Sequence, residues 1–305
     1  MTLAVETHAL TKRFGRRTAL DGVDLAIKVG TIYGVIGPNG AGKTTTMRLL
    51  LDIIRPTSGS SSVLGVDPRT GGAALRRRIG FLPGELRLEG RVTGRAFLAH
   101  YASISGPVAS GAIDTLARRL DLDLSRQVRK LSKGNKQKLG IVQAFMHTPD
   151  LLVLDEPTSG LDPLVQQEFL ALTREARDNG QTVFLSSHVL SEIQQVADTV
   201  AILRSGRVVT VSDVDSLRAS AVRRVSVAFA DATAQAVHDV LSRDPHLAEL
   251  TITAGEQLTV AGTVEGDIDP FIKAIAGFTV THLTVEEPDL EESVLGLYAK
   301  EAGNE

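Results

Sequence analysis

Short apolar runs separated by longer amphipathic stretches organise the first two hundred residues. Thr31–Ile36 is rich in β-branched and apolar residues and predicts a short buried strand. A glycine-rich turn follows, then a helix expected from about Thr44 to Ile54 and ended by Pro56, Ser58 and Gly59. Strand-like runs recur at Leu151–Leu154, Thr182–Ser186 and Thr199–Leu203. Pro163–Asn179 reads as helix, with proline at its start and Gly180 just past its end. Strands alternating with helices predict an α/β domain, a mostly parallel sheet with helices packed on its faces. Between about residues 72 and 148 strand signals thin out, and Leu139, Val142, Gln143 and Met146 share one helical face. That stretch reads as a helical insertion.

From about residue 216 the pattern changes. Val225, Val227 and Phe229 alternate as a strand, and Thr233–Leu241 reads as a helix. Leu250–Thr253 and Gln257–Val260 flank the turn-like Ala254-Gly255-Glu256. Asp269–Ile275 predicts a second helix, Phe278–Val285 a last strand and Leu290–Tyr298 a closing helix. The order β-α-β-β-α-β is that of a small α+β, ferredoxin-like unit. The expected division is therefore 1–215 and 216–305.

Charge supports the division. Residues 216–305 hold 6 Lys/Arg against 15 Asp/Glu, and residues 1–215 hold 27 against 21. The basic first part suits an anionic ligand, and the acidic second part would repel nucleic-acid phosphates. Cysteine is absent, which rules out disulfides and thiolate metal sites. Met1–Phe14 has no apolar core of a signal peptide. Ala96–Ile113, which lacks Asp, Glu and Lys/Arg, is too polar and too broken by Gly106 and Pro107 to span a bilayer.

Two motifs carry chemistry. Gly37-Pro38-Asn39-Gly40-Ala41-Gly42-Lys43-Thr44 matches G-x-x-x-x-G-K-[ST], after an expected strand and at the opening of an expected helix. Its glycines let backbone N–H groups turn onto phosphates, and the helix start adds its dipole. Lys43 supplies a mobile charge for the β- and γ-phosphates, and the Thr44 hydroxyl, followed by Thr45, suits Mg²⁺. The second motif, Leu151–Glu156, is an apolar strand that delivers two adjacent carboxylates. Asp155 is expected to hold Mg²⁺ through water, and Glu156 to act as general base on the attacking water.

With these motifs in place, residues 1–215 resemble the ABC transporter ATPases, a P-loop NTPase family. The resemblance implies a stack between adenine and an aromatic ahead of the P-loop, here Phe14, where a tyrosine is more usual. It identifies Leu131-Ser132-Lys133-Gly134-Asn135 as a degenerate signature segment, placed 23 residues before Asp155 and expected to meet the γ-phosphate held by a second subunit. Lys133 stands where the family has glycine, and Asn135 where it has glutamine. Ser159-Gly160-Leu161-Asp162 matches the D-loop, which crosses the dimer interface, and His188 the switch histidine beside the γ-phosphate. The Q-loop is degenerate: Ile79–Pro83 aligns with the family's strand end, but Gly84 follows, which has no side-chain ligand, so either Glu85 one position later or a water is expected to take the place of the family's glutamine.

The resemblance implies ATP and Mg²⁺ as ligands, a homodimer of this chain and a separate transmembrane permease. It further implies residence at the cytoplasmic face of the cell membrane. The single cassette, the Lys-Gly-Asn signature and the extension resemble small-molecule exporters of the drug and antibiotic type, with no nucleic-acid partner expected. An ABC ATPase acting on the ribosome or on nucleic acid is the alternative. It would call for two cassettes, a long coiled-coil insertion or a basic stripe with aromatics, and aromatics are only 4%. A P-loop kinase would lack the D-loop and signature segments.

Overall fold

The computed structural model of the chain describes residues 2–86, 90–214, 216, 222–242, 246–255 and 257–286. The chain divides into two compact units, Met1–Asp213 and Val214–Glu305.

The first unit is built on a six-stranded sheet. Its strands are β3 (Ile32–Ile36), β5 (Ile79–Leu82), β6 (Leu151–Asp155), β7 (Thr182–Ser187), β8 (Thr199–Arg204) and β9 (Arg207–Asp213), in the order β5-β6-β7-β3-β8-β9. All neighbours are parallel except β9, which returns antiparallel to β8. Every residue of β3, β6 and β7 is buried. This is why these strands read as unbroken apolar runs: a parallel sheet is covered on both faces. Beside it, β1 (Leu3–Phe14), β2 (Arg17–Lys28) and β4 (Ser58–Val63) form an antiparallel sheet in the order β2-β1-β4.

Two expected boundaries move. Helix α1 spans Lys43–Leu50 and stops short of Ile54. Asp52 takes φ +52°, the Asp52 N–H reaches Leu49 O and the Ile53 N–H reaches Arg48 O. This left-handed reversal satisfies the last carbonyls and ends the helix without proline. The 72–148 stretch is also not all insertion, because β5 lies inside it and pairs with β6. Helix α2 (Pro68–Arg77) precedes β5, and α3 (Gly94–Ser105), α4 (Ala112–Arg119) and α5 (Lys133–Phe145) follow it. Arg119 of α4 ties this helical layer to α6 (Pro163–Asp178). It pairs with Glu168 and, at 2.6 Å, with Glu175, and these carboxylates push its pKa up.

In the second unit β10 (Val222–Phe229), α8 (Ala234–Leu241), β11 (Leu247–Ala254), β12 (Leu258–Glu265), α9 (Asp269–Ile275) and β13 (Val280–Glu286) follow the ferredoxin-like order. The sheet runs β11-β12-β10-β13, antiparallel throughout. Val225, Val227, Phe229 and Val260 face Val237 and Leu241 of α8 and Phe271 and Ile275 of α9 in one core. The helix expected over Leu290–Tyr298 lies outside the described residues. Among the described residues no helix is long and apolar enough to cross a membrane.

Candidate functional site

The loop between β3 and α1 closes around backbone, and two glycines show why. A Cβ on Gly37 would lie 2.2 Å from Leu203 O. Gly42, the N-cap of α1, has φ +117°, and a Cβ there would meet Leu20 Cδ2 at 2.5 Å. No side chain caps this helix start, so its free N–H groups face the loop's concavity. The cavity is about 370 Å³ and is lined by Phe14, Arg17, Pro38–Thr45 and Glu156 among others. Phe14, at the end of β1, is half exposed, with Lys12 Nζ 4.9 Å from its ring centroid.

Polar groups converge beneath the loop. Lys43 Nζ donates to Gly37 O at 2.5 Å and lies 3.2 Å from Glu156 Oε1. The second contact is one of charge and not a hydrogen bond, since Glu156 Oε1 is buried and accepts none. Thr44 Oγ1 donates to Asp155 Oδ2 at 2.7 Å, and Ser186 Oγ donates to Asp155 Oδ1 at 2.7 Å. The same Ser186 oxygen accepts from the Glu156 N–H at 3.1 Å. His188 Nδ1 lies 2.5 Å from Glu156 Oε2. The expected phosphate, metal and water-activating groups thus meet at one place.

Glu156 has φ +49°, a conformation that costs a non-glycine residue about 1–3 kcal/mol. It persists because both sides of the residue are held. Ser186 takes its N–H, while Gln137 Nε2 of α5 donates to the carbonyls of Glu156 (3.3 Å) and Pro157 (2.9 Å). Ser186, Gln137 and the cavity-lining Arg17 are site groups the motif reading did not single out. Their residue types carry no signal in the sequence, and Ser186 is marked only by its place at the end of the apolar run of β7.

The remaining motif residues are placed differently. Ser132 is the N-cap of α5 and accepts from the Asn135 N–H at 3.3 Å. None of Leu131, Ser132, Lys133, Gly134 and Asn135 lines the phosphate cavity. Gly134 packs on the D-loop instead: a Cβ there would lie 2.8 Å from Gly160 O. The Ser159 N–H returns to Glu156 O, Leu161 is buried and Asp162 caps α6 through the Val165 N–H. Gly84 sits over the Asp155 carboxylate, since a Cβ on it would stand 3.1 Å from Asp155 Oδ2. Glu85 is exposed and lines a separate groove with Arg76, Phe97 and Tyr101, not the phosphate cavity.

Comparison with known proteins fits this geometry. A family model described as ABC transporter matches residues 20–159. The chain is 39% identical to the bacitracin transport ATP-binding protein BcrA of Bacillus licheniformis, over 72% of each chain. It is 33% identical to the daunorubicin/doxorubicin resistance ATP-binding protein DrrA of Streptomyces peucetius, over 96% of this chain and 90% of that one. A solved ATP-binding subunit of an ABC transporter superposes with a TM-score of 0.66 at 31% identity, covering 71% of this chain and 92% of that one. The match to DrrA runs through both units, and the P-loop, the paired carboxylates and the fold agree: this chain belongs to the ABC transporter family, as an ATP-binding subunit whose first unit is an ABC ATPase cassette.

Proposed function

We propose that the chain hydrolyses ATP as a homodimer and that closure of the dimer on nucleotide drives a separate membrane permease at the cytoplasmic face. The observation that carries this reading is that Lys43, Thr44 and Glu156 line one loop cavity, with Asp155 bonded to Thr44 and His188 against Glu156. Lys43 and the free N–H groups at the start of α1 bind the β- and γ-phosphates, and Phe14 offers its exposed ring to the adenine.

Thr44 and Asp155 would hold Mg²⁺. A hydroxyl and a carboxylate 2.7 Å apart are hard oxygen donors, and such a site with few protein ligands suits a cation that keeps most of its waters. When bound, Mg²⁺ neutralises charge developing on the β- and γ-phosphate oxygens. Glu156 accepts a proton from the attacking water as its oxygen bonds to the γ-phosphorus. The bond from that phosphorus to the bridging oxygen then breaks, releasing ADP and phosphate. His188, bonded to Glu156 Oε2, fixes the rotamer of the base.

Homodimerisation is supported by the separation within one chain. The Leu131–Asn135 segment carries the Ser132-capped start of α5 yet lies outside the chain's own phosphate cavity, so this helix start is available to a nucleotide held by a second copy. Export of a drug or antibiotic is supported by the relatives' stated roles, and the lack of a spanning helix among the described residues leaves the membrane path to a partner. For residues 216–305 we assign a regulatory or dimerising role, since the site groups all come from the first unit.

Steady-state hydrolysis and gel filtration with ATP and Mg²⁺ test the reading. Lys43→Ala is expected to lose both binding and turnover. Glu156→Gln is expected to bind ATP, lose turnover and run as a dimer. A Gln variant that stays monomeric and turns over at the wild-type rate would remove Glu156 as the base.

A further inference from the structure

Two loops carry the groups that act on water. The loop after β6 holds Glu156 and runs through Thr158 into Ser159–Asp162. β7 ends in Ser187, and the loop after it begins with His188. One carboxylate joins them. Glu192, on α7 (Leu190–Val196), accepts at Oε2 from Thr158 Oγ1 at 2.7 Å and from Ser187 Oγ at 3.1 Å. Thr158 and Ser187 are buried, at 6% and 1% exposure. Ser187 Oγ also accepts from the Val189 N–H at 2.9 Å, which closes the backbone around His188. Each hydroxyl has a single proton, and both are committed to the same oxygen.

The helix that carries Glu192 is itself seated. Ile193, its neighbour, is fully buried and fills the space over Gly34 of β3, where a Cβ would stand 2.4 Å from Ile193 Cγ2. Glu192 therefore projects from a fixed base between the two loops. Neither it nor Thr158 or Ser187 lines the phosphate cavity.

We infer that Glu192 is a positioning residue for hydrolysis: it locks the loop of the general base to the loop of His188 and so sets the contact between His188 and Glu156. The inference rests on the ATPase reading above. Its consequence is a split between turnover and binding. A displacement of about 1 Å between reacting groups lowers turnover by about 100-fold, while nucleotide binding depends on a cavity that Glu192 does not touch.

Steady-state kinetics of the full-length chain and its nucleotide affinity, measured with a fluorescent ATP analogue, test this. Glu192→Ala is expected to lower kcat by about 10- to 100-fold with KM and affinity within about 2-fold. Glu192→Gln keeps an oxygen that can accept both hydroxyl protons and is expected to recover most of the rate. Thr158→Val is expected to slow turnover in the wild-type background and to add little once Glu192 is alanine, because the shared bond is already gone.

An unchanged kcat in Glu192→Ala overturns the inference. So does a loss of kcat matched by an equal loss of affinity, or a Gln variant no better than Ala. If Glu192→Ala does not fold, Thr158→Val and Glu192→Gln decide alone: an unaltered rate in the first, or a collapsed rate in the second, overturns it. A failure of the ATPase reading has a different signature, namely wild-type chain without hydrolysis or a Glu156→Gln variant at full rate.

Discussion

Ser186→Ala removes one oxygen atom from a fully buried position and should be felt well beyond that atom. The hydroxyl donates to Asp155 Oδ1 at 2.7 Å and accepts from the Glu156 N–H at 3.1 Å. The change in volume is small, so packing contributes little. The cost lies in the two groups left behind. A hydrogen bond to a charged group contributes about 1.5–3 kcal/mol and a neutral one about 0.5–1.5 kcal/mol. Asp155 is 2% exposed and gains little from water, whereas the Glu156 side chain is 20% exposed. The sum is about 2–4 kcal/mol for the first unit. For a unit of this size each kcal/mol moves Tm by about 2–4 °C, so a fall of about 5–15 °C is expected by calorimetry. Turnover should fall with it, by about 10-fold or more, because Ser186 also holds the left-handed backbone of Glu156. Ser60→Ala, at an exposed position of strand β4, is the control and should lie within about 0.5 kcal/mol of wild type. A Ser186→Ala chain that matches this control in Tm and the wild type in kcat would refute the reasoning.

Three further outcomes follow from the same structure. Gly42→Ala should lose most nucleotide affinity by titration calorimetry, because its Cβ would lie 2.5 Å from Leu20 Cδ2 and 3.0 Å from Ala19 O at a φ of +117°. Burial pushes the Tyr33 phenol up to about 12 from an ordinary 10, so the unfolded chain ionises first and stability is lost as pH rises from 10 to 12. Denaturant titrations across that range should show a loss of about 2–3 kcal/mol that Tyr33→Phe abolishes. Burial pushes the His147 imidazole below its ordinary 6.5, an effect the nearby Ile79 backbone offsets only in part, and neither ring nitrogen makes a well-formed hydrogen bond. The unfolded state therefore binds the proton first, stability falls as pH drops below 6.5, and His147→Leu should flatten that limb in the same titrations.

Much of the fold was legible because burial on both faces writes itself as runs of apolar residues. Strands β3, β6, β7 and β8 were placed to within a residue or so for this reason. The β1–β2 hairpin was not. Its strands pair with register shifts at four points along β1, where Ala4-Val5 and Leu10-Thr11 are buried as adjacent pairs and the period-2 alternation that marks a strand is lost, while β2 alternates only over its second half. Strand β5 is legible only through the family resemblance at Ile79–Pro83, because four residues, one of them Gly80, are too few to carry a period. Helix α1 ran too long in the reading because Ile53 and Ile54 continue its apolar pattern, while the left-handed turn at Asp52 leaves no mark in hydrophobicity.

The site divides along the same physical line. A phosphate cradle needs consecutive backbone amides and a helix start, so its residues are contiguous and could be read from Gly37 to Thr44. A pair of carboxylates at a strand end is likewise local. The groups that orient those carboxylates reach them through space. Ser186 is 31 residues from Asp155 and Gln137 is 19 from Glu156. Serine and glutamine are common enough in any chain that their type carries no signal until the sheet sets β6 beside β7 and α5 beneath the following turn. The left-handed Glu156 makes the same point from the backbone. Neither residue type nor motif predicts it, and it persists because Ser186 and Gln137 satisfy its N–H and C=O. The reacting groups are thus written locally, while the geometry that makes them act together is a property of the folded sheet.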